Sequence, residues 1–86
     1  FELLQNYPNP FNPITVISYQ LAVSNIVLIK VYDVLGNKIK TLVNKKQNSG
    51  SYKIEFDGSN LPSGIYFYSL FINSNFVDTK KMLLIK

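Results

Sequence analysis

Residues 65–72 read IYFYSLFI, with seven apolar or aromatic side chains and no Gly, Pro or charge among them. In an extended chain Tyr66, Tyr68, Leu70 and Ile72 fall on one side, and Ile65, Phe67 and Phe71 on the other. A strand apolar on both sides belongs in the middle of a sheet, so neighbours must be found for it on either hand.

The flanking sequence supplies them. Downstream, Asn73-Ser74-Asn75 is a tight hairpin loop leading into a last strand over residues 76–86, FVDTKKMLLIK. Upstream lie two turn clusters, Asp57-Gly58-Ser59-Asn60 and Leu61-Pro62-Ser63-Gly64, with Leu61 placed to plug the end of the core. Residues 52–56, YKIEF, alternate, putting Tyr52, Ile54 and Phe56 inward and Lys53 and Glu55 outward. Residues 38–43, KIKTLV, form a weaker strand, followed by a polar loop over 44–49 that Gly50 ends. Asp33 to Asn37 carries a turn signature, because Gly36 and Asn37 tolerate positive φ and Asp33 bonds back to nearby amides. Residues 26–33, IVLIKVYD, direct Val27, Ile29 and Val31 to the core, and residues 14–21, ITVISYQL, do the same with Thr15, Ile17, Tyr19 and Leu21. Six or seven short strands punctuated by Gly, Pro and Asn predict an all-β fold, an immunoglobulin-like antiparallel β-sandwich, without the Cys, Trp, Cys pattern of antibody domains.

Composition agrees. Eighty-six residues allow one domain, residues 1–86, and a chain of this size buries only about 60–65% of its unfolded surface. It is 47% hydrophobic and 14% aromatic, which excludes intrinsic disorder, and it has no Cys, so packing and pairing must hold it together. No apolar run reaches the roughly 18 residues of a membrane helix, and the opening FELLQNYPNP lacks the form of a secretory signal. Beginning with Phe, the chain is read as a piece of a longer protein. The net charge of +4 comes from nine scattered Lys against five acids, with no Arg. Such charge reads as solvated surface, not as a nucleic-acid footprint.

Catalytic chemistry has few candidates. Without His or Cys the usual general base, thiolate nucleophile and transition-metal ligands are missing. Glu55 and Asp57, two apart, read as solvated strand-end acids, and residues 57–60 as a turn rather than a calcium loop, since they lack its alternating oxygen ligands. Gly58 and Gly64 form no phosphate cradle. No catalytic, cofactor or metal residue is assigned, and the chain is read as no enzyme. Among the aromatics, Tyr19, Tyr52, Phe56, Tyr66 and Tyr68 are expected in the core. Exposure of Tyr7, Phe11, Tyr32, Phe67, Phe71 or Phe76 would favour a sugar-binding platform.

Five motifs in order resemble a known family over almost the whole chain: Tyr7-Pro8-Asn9-Pro10-Phe11, the 14–21 strand, Tyr32-Asp33 with Leu35-Gly36, Leu61-Pro62-Ser63-Gly64-Ile65-Tyr66, and Lys81-Met82-Leu83-Leu84-Ile85-Lys86. The chain is similar to the C-terminal sorting domain, type A, of the type IX (Por) secretion system of Bacteroidetes-related bacteria, a relative of the Ig-like flagellar hook-capping domain. It departs in carrying Lys where many relatives have Arg, and in setting Lys38 one position later than usual behind the Leu-Gly turn.

The resemblance implies a secretion signal at the carboxyl end of secreted or cell-surface cargo that arrives through the periplasm. Its implied partners are the outer-membrane type IX machinery, an N-terminal cargo domain joined through a linker ending at residues 1–5, and a sortase-like cysteine protease. The candidate signal residues are Gly64, Tyr66, Thr79, Lys80, Lys81, Met82, Leu83, Ile85 and Lys86, with the terminal strand as a sheet edge open to strand addition. Tyr7, Pro8, Asn9, Pro10, Phe11, Asp33 and Gly36 are its structural motif. The stretch NYPNPFNP is expected to run extended or turned along the fold, with Phe11 anchored in the sandwich and the asparagines bonded to local backbone. The rival readings are a carbohydrate-binding or adhesive Ig-like module and a structural spacer.

Overall fold

The computed structural model describes residues 1–86 and contains strands and turns but no helix, so none crosses a membrane. Seven strands follow one another: β1 (Glu2–Leu3), β2 (Ile14–Leu21), β3 (Asn25–Tyr32), β4 (Lys38–Gln47), β5 (Gly50–Asp57), β6 (Gly64–Ile72) and β7 (Asn75–Leu84). They form two antiparallel sheets, ordered β1-β2-β5 and β4-β3-β6-β7. This is the expected Ig-like sandwich, and the decisive stretch does lie centrally, as β6 between β3 and β7.

The period-2 pattern sets the core. Ile17, Tyr19 and Leu21 from β2 and Phe56 from β5 face Val27, Ile29, Val31, Tyr66, Tyr68, Leu70 and Ile72 from the other sheet, all buried. Leu61 packs against this cluster from the end. Two tyrosines keep their hydroxyls satisfied, Tyr19 donating to Gln47 Oε1 at 2.6 Å and Tyr68 to the Leu4 carbonyl at 2.7 Å. Burial pushes both phenols up, that of Tyr68 to about 12.

Three turns follow their residue chemistry. Asn73 and Ser74 form a two-residue β6–β7 loop with φ of 50° and 69°, the positive pair a primed hairpin turn demands. Gly36 takes φ +84°, and Asp33 binds its own turn, Oδ1 accepting from the amides of Leu35 and Asn37 at 2.9 Å each. The Asn37 amide is the first cause holding the Asp33 carboxyl below its usual range. Tyr66, at the head of β6, donates to the Pro62 carbonyl four residues upstream at 2.7 Å. That hydrogen bond has the form of the tyrosine corner of Ig-like sandwiches.

Two strands differ from the sequence reading. Residues 1–5 are not merely the end of a linker: Glu2 and Leu3 pair with Gln20 and Tyr19, and Leu3 is only 3% exposed. Residues 44–47 are not loop but the continuation of β4, paired with residues 28 to 25. Their polar side chains concealed a strand because β4 is an edge, where main-chain pairing does not require both faces to be apolar. Leu42 and Ile39 lie at register shifts in the same pairing.

Candidate functional site

The candidate signal residues cluster on β7, and the pleat divides them. Met82 and Leu84 turn inward and are fully buried. Lys81 is exposed and Leu83 half-buried on the opposite side, opposite Phe67 and Ile65 of β6. Thr79, also exposed, shares a hydrogen bond with Ser69 across the ladder, and its amide donates to Asp78 Oδ1 at 2.7 Å. Lys80 lies on the inner side at the sheet edge, 3.5 Å from Asp78, a partly exposed pair of small energetic weight. Met82 and Tyr66 are therefore fold residues whose side chains offer nothing to a partner. Gly64 pairs with Leu84 at the far end of β6.

The outer edge of β7 is not free along its length. The NYPNPFNP segment runs beside its last residues and forms a parallel bridge from Phe11 to Leu84. The Phe11 amide donates to the Leu83 carbonyl at 2.9 Å, and the Ile85 amide to the Phe11 carbonyl at 3.0 Å. The Leu83 amide donates to Asn9 Oδ1 at 2.9 Å, and Gln5 Nε2 to the Lys81 carbonyl at 2.7 Å. The expectation of an open edge is thus corrected for residues 81–85. The stretch near Thr79 has no partner strand beyond β6.

Phe11 anchors this seam as expected: it is 2% exposed, edge-on to Phe56 at 6.1 Å. A Cβ at Gly58 would lie 3.0 Å from Leu84 and 3.4 Å from Phe11, so this glycine lets the chain close against both. Tyr7 is different, for its ring is 82% exposed while its backbone pairs with Val16. Asn9 reaches the terminal strand rather than local backbone. Sequence reasoning missed a buried polar knot here. Asn6 Nδ2 donates to Thr15 Oγ1 at 3.0 Å and to the Pro8 carbonyl at 3.2 Å, and Thr15 Oγ1 donates to the same carbonyl at 2.8 Å. Its signal was available: a Thr on the core side of a strand needs a polar partner. Pro8 therefore supplies an acceptor that the knot uses twice, and Pro10 stays exposed.

The other motifs gather at the same end of the sandwich. A cleft of about 290 Å³ separates the 33–39 turn from the 61–66 loop, with Val34, Ile39, Leu61 and Ile65 in its walls. Lys86 caps the neighbouring loop, its amide donating to Ser63 Oγ at 2.9 Å and its ammonium to the Ser59 carbonyl. The Gly58 amide donates to the Pro13 carbonyl at 2.8 Å. Asp57, held below the usual carboxylate range first by the Ser59 hydroxyl, closes its own turn, and no group of three or more acids gathers to hold a metal ion.

The fold is a two-sheet Ig-like β-sandwich whose sequence motifs gather on its end turns and its last strand. The sequence matches the family described as Secretion system C-terminal sorting domain over residues 5–86, and the chain belongs to that family. No curated protein and no solved structure matches it. The domain is a C-terminal secretion signal that works with the type IX machinery, so its destination lies across the outer membrane, secreted or at the cell surface.

Proposed function

We propose that residues 1–86 act as one non-catalytic sorting domain, an address read by a receptor and carrying no chemistry of its own. It follows an N-terminal cargo domain that reaches the periplasm separately, and after export a sortase-like cysteine protease removes it. The solvent side of the last strand, Thr79, Lys81 and Leu83, and the tail Ile85-Lys86 carry the signal. Gly64, Tyr66, Lys80 and Met82 serve it by shaping the strand.

The observation that carries this reading is the seam. Residues 81–86 are fixed by hydrogen bonds to residues 5–11 and to Ser63, so this segment is presented in one conformation. A preorganised tail loses less freedom on binding than a flexible one.

The test is a periplasmic reporter fused ahead of residues 1–86 in a type IX-competent bacterium, scored by protease access from outside the cell. Delivery is expected with the domain and not for the reporter alone or in a strain lacking the machinery. Delivery that survives loss of the machinery overturns the reading. Removing residues 85–86, which lie beyond β7 and leave Met82 and Leu84 in place, is expected to abolish delivery while the domain still melts cooperatively.

A further inference from the structure

We propose that the outer face of the four-stranded sheet is where the domain meets its export partner, and that this partner presents an acidic protein surface with an apolar centre. The proposal rests on the sorting function above. The face is built by register. Tyr32 and Phe67 sit opposite each other between Lys38 on β4 and Lys81 on β7. Phe71 lies opposite Phe76, the rings edge-to-face at 5.9 Å, with Lys30 Nζ 5.6 Å from the Phe71 centroid.

Two features make this more than ordinary surface. The core takes its apolar area from the other side of the same strands, so Phe76, 62% exposed, adds little to the fold. Charge is also sorted between the faces. Lys30, Lys38, Lys46 and Lys81 share this face with no carboxylate. Glu2, Glu55 and Asp57 lie on the outer face of the other sheet, Asp33 is bound into its turn, and Asp78 turns inward beside Lys80. A basic, aromatic face without acids complements an acidic protein surface.

The side chains favour a protein over a polysaccharide. Sugar platforms need rings lying in one plane, whereas Phe71 and Phe76 are inclined at 70°, and the aliphatic Ile26, Leu28 and Ile65 share the face. Aliphatic side chains pack against protein.

The experiment uses the same reporter fusion. Lys38→Glu/Lys81→Glu and, separately, Phe76→Ser are compared with Lys45→Glu/Lys53→Glu, a pair with equal charge change away from this face. The face variants are expected to lower surface delivery at least about tenfold and the control pair less than about twofold, all with the parent melting temperature. Parent-level delivery of the face variants, or equal loss in the control pair, overturns the proposal while leaving the sorting function standing. Failure of the parent fusion itself overturns that function instead. Two further measurements bear on the occupant: retardation in polygalacturonate gels that the Lys38/Lys81 variant loses would install an anionic glycan in place of the protein, and concentration-dependent mass in sedimentation lost by the same variant would install a second copy.

Discussion

Lys81 and Met82 are chain neighbours, yet the two sides of β7 do different work. The Met82 and Leu84 side is sealed against Phe11 and the facing sheet, and a change there alters stability. The Thr79, Lys81 and Leu83 side lies on the outer face of its sheet with two of the three exposed, and a change there alters what the surface offers. The difference teaches how one strand can hold the core together and still present a surface: the pleat gives each its own alternate residues. It also explains why deleting the whole strand is a poor experiment, since both roles vanish together.

The sharpest way to break this division is at Leu84. Leu84→Ala leaves a cavity between Phe11 and Gly58 and is expected to cost about 3–4 kcal/mol in chemical denaturation, with Phe11→Ala near 3 kcal/mol. A cost below about 1 kcal/mol at both would mean that the seam is not part of the core. Next comes the opposite perturbation. Gly58→Ala pushes a methyl toward Leu84 and Phe11 and is expected to cost about 1–2 kcal/mol. Combined with Leu84→Ala it should cost less than the sum, because the shortened side chain makes room. Strict additivity would show that the two sites do not touch.

Tyr68 tests the inner side through pH. Tyr68→Phe removes the donor to the Leu4 carbonyl and is expected to cost about 1 kcal/mol. The buried phenol holds its proton up to about 12 in the folded chain and to about 10 in the unfolded one. Its contribution is therefore complete below pH 10 and lost as pH rises from there through 12. Stability measured across that window should fall less steeply in Tyr68→Phe than in the parent. Equal slopes would place the loss at other groups.

How much of this was legible in the sequence varies with the physical cause. The β2, β3 and β6 core residues could be read because period-2 alternation is what burial on one face imposes. The β4 extension could not, because an edge strand made of Asn, Lys and Gln leaves no such mark. Phe11 was legible as a large ring in a stretch that could not be helical. Its partner Leu84 was not, for the bridge joins residues 73 positions apart and no local pattern encodes that pairing. Tyr66 shows a further gap: a Tyr after Leu-Pro-Ser-Gly-Ile was legible as a motif, but its role as a corner required the Pro62 carbonyl to be seen four residues back.

The smallest expected effect closes the comparison. Lys81 is exposed, its side chain makes no ion pair, and its carbonyl, which does accept from Gln5, is unchanged by substitution. Lys81→Glu is therefore expected to move stability by no more than about 0.5 kcal/mol, the usual range for surface changes. A small part of that change is favourable, since the substitution places a carboxylate on a face whose other charges are Lys30, Lys38 and Lys46. Salt should erase that part, because exposed charges more than about 10 Å apart are screened at 0.1 M. A loss above about 1 kcal/mol, measured beside Leu84→Ala, would mean that the outward side of β7 also holds the fold together, and the division of labour along the strand would fall.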